Sequence, residues 1–370
     1  MIKVLIVDDS AVARQYLAYI LGQDAEIAVV GQVASGEEAL RFMEKDKPDL
    51  VTMDLVMPGM DGIATTRRIM ETNPTPIVIV TANWSRGEVE KTFAAIEVGA
   101  VGIIEKPRGL GHPDAPRMIK ETIATVKAMA SVPVVRRWKR KEPGAASESI
   151  SPAALPKTVS QPAREYVSAP FIPRPVPLSP VTRIELVAVG ASTGGPMAVQ
   201  ALLEQLPPSF PVPIVVVQHI ATGFVEGMAS WLQQTTPLKV VVASPGTVPM
   251  AGVVYLAPDG AHLEIGINGA LSLSSDPPDS GLRPSVAHLF RSVATRLGSR
   301  AAGVLLTGMG RDGAQELKLM RDRGAVTFAQ DSESSIVHGM PGEAIALGAA
   351  SHVMPPAEIA RALVRATLRT

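Results

Sequence analysis

Short apolar runs alternate with longer amphipathic segments through residues 1 to about 130. The runs Lys3–Val7, Ile27–Val33, Leu50–Asp54, Ile77–Thr81 and Gly102–Ile104 read as strands. Helices fit between them, beginning near Ser10, Gly36, Gly62, Glu88 and Ala115. Alternation of this kind predicts a parallel sheet covered on both faces, because each crossover carries an element that packs back on the sheet. From about 183 to 370 the pattern repeats. Strands fit Ile184–Val189, Ile214–Gln218, Leu238–Val242, Val253–Ala257, Gly303–Thr307, Val326–Ala329 and His352–Met354. His262–Glu264 and Ala270–Leu273 flank Asn268 and Gly269, a hairpin signal. A helix from Ser285 to Leu297 has an apolar stripe with basic residues between.

Between the two patterned regions the periodicity stops. Ten prolines fall from Pro133 to Pro180, interspersed with Ser and Ala, which predicts an extended linker of polyproline II character over 131–182. The expected domains are therefore 1–130, a linker 131–182, and 183–370. Arg136 to Lys141 forms a basic run with one Trp; its usual meaning is a solvated segment, and docking to an acidic partner or RNA is the weaker reading.

Composition narrows the class. The 370 residues suffice for two full cores, and 46% hydrophobic with 19% charged content describes an ordinary globular protein. Lys plus Arg and Asp plus Glu both number 35, so zero net charge gives no general reason to expect nucleic acid or an anionic membrane. Cysteine is absent, which excludes disulfides and thiol chemistry. The apolar run at the N-terminus is too short for a signal peptide or a span, so a cytoplasmic location without membrane insertion is expected.

Two groups of residues bear chemistry. In the first region Asp8 and Asp9 follow the first strand, Asp54 ends the third, Thr81 ends the fourth, and Lys106 follows the fifth. Carboxylates crowded on one sheet edge repel unless they share a cation, and oxygen-only donors suit Mg²⁺. Acids that merely cap helices would explain Asp8 or Asp61 singly but not the set. This spacing, with the segment VTMDLVMPGMDG, resembles the receiver domains of two-component response regulators over roughly the first 125 residues. The resemblance implies a flavodoxin-like, five-stranded domain with Asp54 as phosphoacceptor. It further implies Mg²⁺ on Asp9, Asp54 and the Val56 carbonyl, Asp8 acting through metal-bound water, Lys106 pairing with the phosphoryl group, and Thr81 reporting its presence. Ile103 stands where receivers usually carry a switch aromatic, so an aromatic-rotamer account of signalling is in doubt.

In the second region VAVGASTGG runs from an expected strand through a glycine-rich turn into a helix at Pro196. Gly190 to Gly194 fits G-x-S-x-G, yet these residues alone suit a nucleophile turn and a phosphate-cradling or merely tight turn equally. A serine nucleophile needs a base and a carboxylate to orient it. Ser192, His219 and Asp312 all fall at or just after strand ends, in an order that differs from the α/β-hydrolases. Singly, each has a plainer explanation: a helix N-cap, a satisfied histidine, and the N-cap of a helix through Leu319.

The segments GASTGG, QHI, YLAPDGAHL, RPSVAHLF and LLTGMGRDGA together resemble the catalytic domain of the CheB methylesterase family through 184–355. The resemblance implies a Rossmann-like, doubly wound, mostly parallel α/β domain with a small hairpin, and a triad of Ser192, His219 and Asp312. The Met309 backbone N–H would help bind the oxyanion, with Thr193 as a secondary polar group. It also implies phosphorylation-gated hydrolysis of γ-glutamyl methyl esters on methyl-accepting chemoreceptors, glutamine deamidation, a histidine kinase as phosphodonor, no cofactor for the esterase, and a monomer. Leu282 stands where the family often has histidine. Other readings rank lower. A dinucleotide-binding domain lacks G-x-G-x-x-G spacing and an acid at the second strand end, a transcription regulator lacks a helix-turn-helix with a basic recognition helix, and a catalytically inactive adaptor is excluded only by assay. The linker is too long and proline-rich to transmit force, so regulation is expected by the receiver docking over the entrance to Ser192.

Overall fold

Hydroxyl and carboxylate caps set where the helices of the first domain begin. In the computed structural model, Ser10 accepts a hydrogen bond from the Ala13 N–H, Ser35 from Glu38 and Asp61 from Ala64. The structure describes residues 1–81, 86–109, 111–132, 134 and 183–367. The rest of the proline-rich stretch, including the basic run 136–141, lies outside the described residues.

The first domain runs β1 (Ile2–Val7), α1 (Ala11–Leu21), β2 (Ile27–Val33), α2 (Gly36–Met43), β3 (Leu50–Met53), α3 (Gly62–Thr72), β4 (Ile77–Thr81), α4 (Arg86–Glu97), β5 (Gly102–Glu105) and α5 (Ala115–Ala130). All five strands are parallel, in the order β2-β1-β3-β4-β5. The continuous apolar runs are what two covered faces require, and Val4 to Val7, Leu50, Val51 and Ile77 to Ile79 are buried. Asp8 and Asp54 consequently follow the carboxyl ends of the adjacent strands β1 and β3, and Lys106 follows β5 on the same edge of the sheet.

The second domain runs β6 (Leu186–Ala191), α6 (Gly195–Leu203), β7 (Ile214–Gln218), α7 (Val225–Thr235), β8 (Lys239–Val242), β9 (Val253–Leu256), β10 (His262–Ile265), β11 (Leu271–Ser274), α8 (Val286–Arg296), β12 (Ala301–Leu305), α9 (Ala314–Asp322), β13 (Val326–Gln330), α10 (Met340–Ala346), β14 (His352–Met354) and α11 (Pro356–Thr367). Seven strands form a parallel sheet ordered β14-β13-β12-β6-β7-β9-β8, and β10-β11 make a separate antiparallel pair. Gly269 takes φ 79° in the turn of that hairpin, a conformation open to glycine. Two strands are displaced from their expected bounds: β6 lies at 186–191 instead of 184–189, and β12 at 301–305 instead of 303–307. Gly190 and Ala191 continue the first run and Ala301 and Ala302 precede the second, so the pattern leaves those bounds open. Pairing closes them: Gly190 sits opposite Leu305 and Ala191 opposite Gln218.

Successive connections leave β6 toward β7 on one side, and the chain returns to β12 on the other. In an open parallel sheet that reversal leaves a crevice at the strands' carboxyl ends. The turns after β6, β7 and β12 all open there.

The two domains are packed together through α4 and α7. Phe93 is 1% exposed and joins the core cluster of the second domain. Its ring stacks on Trp231 at 5.1 Å and meets Phe224 edge-on at 6.4 Å. The Trp231 indole N–H donates to Glu97 Oε1 at 2.8 Å. Ile103 packs against the same cluster, so the residue that departs from the switch aromatic is a domain-interface residue here.

Candidate active site and phosphoacceptor centre

β6 delivers Ser192 and β7 delivers His219 at adjacent positions, because Ala191 pairs with Gln218 immediately before them. The His219 N–H donates to the Ala191 carbonyl at 2.9 Å, and Ser192 N–H to the Thr307 carbonyl at 3.0 Å. Gln218 ties the two turns together: its Nε2 donates to the carbonyls of Ser192 (2.7 Å) and His219 (2.8 Å). Gly194 (φ 77°) faces Ile336, where a Cβ would lie 2.6 Å from that side chain. A Cβ on Gly308 would lie 2.7 Å from the Ser192 Cβ and collide with Met340. The serine turn and the turn after β12 are therefore held in direct contact by small residues.

His219 Nε2 lies 2.9 Å from Asp312 Oδ2, and both side chains are largely but not fully buried. This leaves Nδ1 without a partner among the described residues. Asp312 is not the N-cap of α9, whose cap is Gly313. Its carboxylate instead meets the first turn of α8. It accepts from the Val286 N–H at 2.7 Å and the Ala287 N–H at 3.1 Å, and from the Ser285 hydroxyl at 2.9 Å. Burial pushes the Asp312 carboxyl upward. The His219 hydrogen bond and charge, then the Val286 N–H and the Ser285 hydroxyl, outweigh burial and hold it below the ordinary carboxylate range. The group stays ionised and faces a histidine.

Met309 is 39% exposed on the turn beside Ser192, and its backbone N–H makes no hydrogen bond among the described residues. Thr193 is half-buried in the serine turn, and its carbonyl accepts from the Thr307 hydroxyl at 3.0 Å. Ser285, Gln218 and Thr307 were not singled out as site residues from the sequence. Each lies inside a segment that carries the family resemblance, RPSVAHLF, QHI and LLTGMGRDGA respectively, which is the signal that could have found them.

At the other site, Lys106 Nζ bridges Asp8 Oδ2 at 2.7 Å and Asp54 Oδ2 at 2.6 Å. Oxygens of Asp8, Asp9 and Asp54 lie within 4.8 Å of one another. That all-oxygen donor set fits a hard divalent cation such as Mg²⁺. Burial pushes the Asp54 carboxyl above its ordinary range; Lys106 pulls it down without cancelling burial, and the Asp8 charge adds to the rise. Burial works against the Lys106 charge, yet hydrogen bonds and charges from Asp54 and Asp8 carry its pKa above the ordinary value. Val56 donates its N–H to Asp54 Oδ1 at 3.4 Å. Thr81 is buried at the end of β4.

Fold and sites together define a receiver joined to a parallel α/β domain with a Ser/His/Asp constellation at its switch point. Residues 4–112 match the response regulator receiver domain family, and residues 187–363 match the CheB methylesterase family. The chain is 48% identical to protein-glutamate methylesterase/protein-glutamine glutaminase 4 of Geobacter metallireducens over 98% of each chain. It is 47% identical to the protein-glutamate methylesterase/protein-glutamine glutaminase of Nitrosospira multiformis, over 98% of this chain and 96% of that one. The Thermotoga maritima CheB methylesterase catalytic domain is 35% identical at TM-score 0.48, covering 50% of this chain and 99% of that one. The chain belongs to the CheB family of protein-glutamate methylesterase/protein-glutamine glutaminases. Among the described residues no helix is long and apolar enough to cross a membrane.

Proposed function

We propose that this chain hydrolyses γ-glutamyl methyl esters on chemoreceptors and deamidates selected glutamines, under control of phosphorylation at Asp54. The observation that carries this reading is the His219–Asp312 pair at 2.9 Å, in the turns adjoining Ser192. A hydroxyl attacks an ester only when a base takes its proton. Ser192 Oγ adds to the carbonyl carbon while His219 accepts the hydroxyl proton, and the charge on oxygen meets the Met309 N–H. His219 then protonates the departing methoxide, methanol leaves, and a glutamyl-serine ester remains. Water repeats the sequence and frees the carboxylate and Ser192. With a glutamine the leaving group is ammonia. Asp312 orients His219 and stabilises its cation without taking the proton. Methanol release from methylated receptor membranes tests the reading; no release above the protein-free rate would reject it.

In the receiver, Asp9, Asp54 and the Val56 carbonyl would hold Mg²⁺, with Asp8 reached through water. The ion supplies charge neutralisation for the incoming phosphoryl group. Asp54 is the acceptor, Lys106 pairs with the phosphoryl oxygens, and Thr81 senses them. A histidine kinase or acetyl phosphate is expected to label the wild type in the presence of Mg²⁺. Asp54→Asn is expected to take up no label, and equal labelling of both proteins would show the acceptor to be another residue.

Control would operate at the interface of α4 and α7. Phe93 packs on Phe224, which lies in the turn between His219 and α7. In this reading a docked receiver would cover the approach to the site, and phosphorylation has to shift this equilibrium by only a few kcal/mol to change activity by orders of magnitude. In the full chain, Phe93→Ala is expected to raise unphosphorylated esterase activity at least several-fold and to shrink the response to phosphodonor. Basal kinetics equal to wild type would rule out occlusion through this contact.

A further inference from the structure

A second cluster of metal-ligating side chains lies outside both sites, where the hairpin packs on α8. Glu264 on β10, Asp276 just after β11, and His288 on α8 bring one oxygen or nitrogen each within 4.8 Å of the others. We propose that these three residues form a binding site for a divalent transition-metal ion of the Zn²⁺ class.

His288 Nδ1 lies 3.0 Å from Glu264 Oε1. Tetrahedral ligands held at about 2.0–2.2 Å from a zinc ion stand about 3.3–3.6 Å apart, so the pair needs to part by only a few tenths of an ångström to share one ion. Without metal the two atoms meet in a hydrogen bond, which an ion bound between them would replace. Asp276 is exposed, and its carboxylate has no hydrogen bond or ion pair among the described residues. Its main chain is held nonetheless: Arg283 donates to the carbonyls of Ser275 and Asp276 at 3.1 and 3.2 Å. The Asp276 N–H donates to Ser274 Oγ at 3.0 Å.

The imidazole is oriented from behind. His288 stacks on His262 with ring centroids 3.6 Å apart and planes 14° from parallel. His262 is fully buried and fixed at both nitrogens, Nδ1 accepting from the Ser285 N–H at 3.2 Å and Nε2 facing the Pro277 carbonyl at 3.2 Å. Orientation of a ligating side chain by its own neighbours is what lowers the cost of assembling a metal site. An imidazole with two carboxylates favours Zn²⁺, Co²⁺ or Ni²⁺ over Mg²⁺ or Ca²⁺, in contrast to the all-oxygen receiver cluster. Water would complete the coordination. Bound metal would clamp the hairpin to α8, the helix whose first turn holds Asp312.

The test uses the full chain with excess Mg²⁺ to occupy the receiver acids. Co²⁺ is titrated by equilibrium dialysis and visible absorption, and Zn²⁺ by thermal melting. The site predicts one Co²⁺ equivalent in wild type and in Asp54→Asn. His288→Gln and Asp276→Asn should each weaken binding at least tenfold and abolish the Zn²⁺-dependent rise in melting temperature. Asp276 is exposed, so loss of binding in its variant cannot be assigned to a collapsed core. No saturable Co²⁺ binding in wild type, or affinities in both variants within threefold of wild type, would overturn the proposal.

Discussion

Ser192→Ala is expected to lower kcat for ester hydrolysis by about 10⁴–10⁶, the range over which a serine nucleophile acting with its base is missed. Folding and phosphate uptake at Asp54 should be untouched. Ser192 is held by its backbone, through its N–H to Thr307 and its carbonyl to Gln218, and neither bond involves the side chain. Alanine fits the same turn, since the close approach to Gly308 is made by a Cβ that alanine retains. The comparison needs single-turnover methanol release alongside a circular dichroism melt. Near wild-type turnover in a folded Ser192→Ala protein would remove the serine from the mechanism and leave water activated by His219 as the nucleophile.

Asp312→Asn is expected to cost about 10²–10⁴ in kcat while leaving measurable activity, because in the proposed mechanism Asp312 positions the base and makes no bond to substrate. The structure adds a second consequence. The carboxylate accepts from His219, Ser285, Val286 and Ala287. An asparagine offers one accepting oxygen, and its amide nitrogen would confront donors. The variant should therefore lose about 1–3 kcal/mol of stability, the usual cost of a buried polar group left unpaired. That loss carries a pH signature. The folded-state pKa of Asp312 is lowered. Its contribution is thus fully present above the unfolded pKa, about 4, and is lost as pH falls through the lower folded value. Chemical denaturation of both proteins should show a stability gap that is constant at neutral pH and narrows in acid. A gap independent of pH would mean that the carboxylate's charge contributes nothing.

Much of the architecture was legible because period and composition report burial directly. A strand covered on both faces must be apolar throughout, and Val4 to Val7 or Ile214 to Val217 cannot be read otherwise. Helix starts were legible where a short polar side chain caps them, as at Ser10, Ser35 and Asp61. Strand ends were less so. Small residues at the end of β6 and the start of β12 leave those boundaries unmarked, and only pairing in the sheet fixes them.

The candidate site divides the same way. Ser192, His219 and Asp312 stood out because each is a reactive residue at the end of an apolar run, a place where parallel sheets expose chemistry. What holds Asp312 was not visible, since Ser285, whose hydroxyl donates to it, lies 27 residues earlier in the chain and the other donors are backbone N–H groups of α8. Backbone donors have no letter in a sequence. The receiver interface is the same case. Phe93 reads as an ordinary core residue of its own helix, and only docking shows it 5.1 Å from Trp231 of the other domain. The sequence by itself determined the elements, the two parallel sheets and the residues able to do chemistry, because those follow from local period and side-chain type. The tertiary structure decided the partners of Asp312, the contact between the domains and the grouping of Glu264, Asp276 and His288. Such contacts join residues far apart in the chain, and their energy depends on distance and orientation that no local pattern encodes.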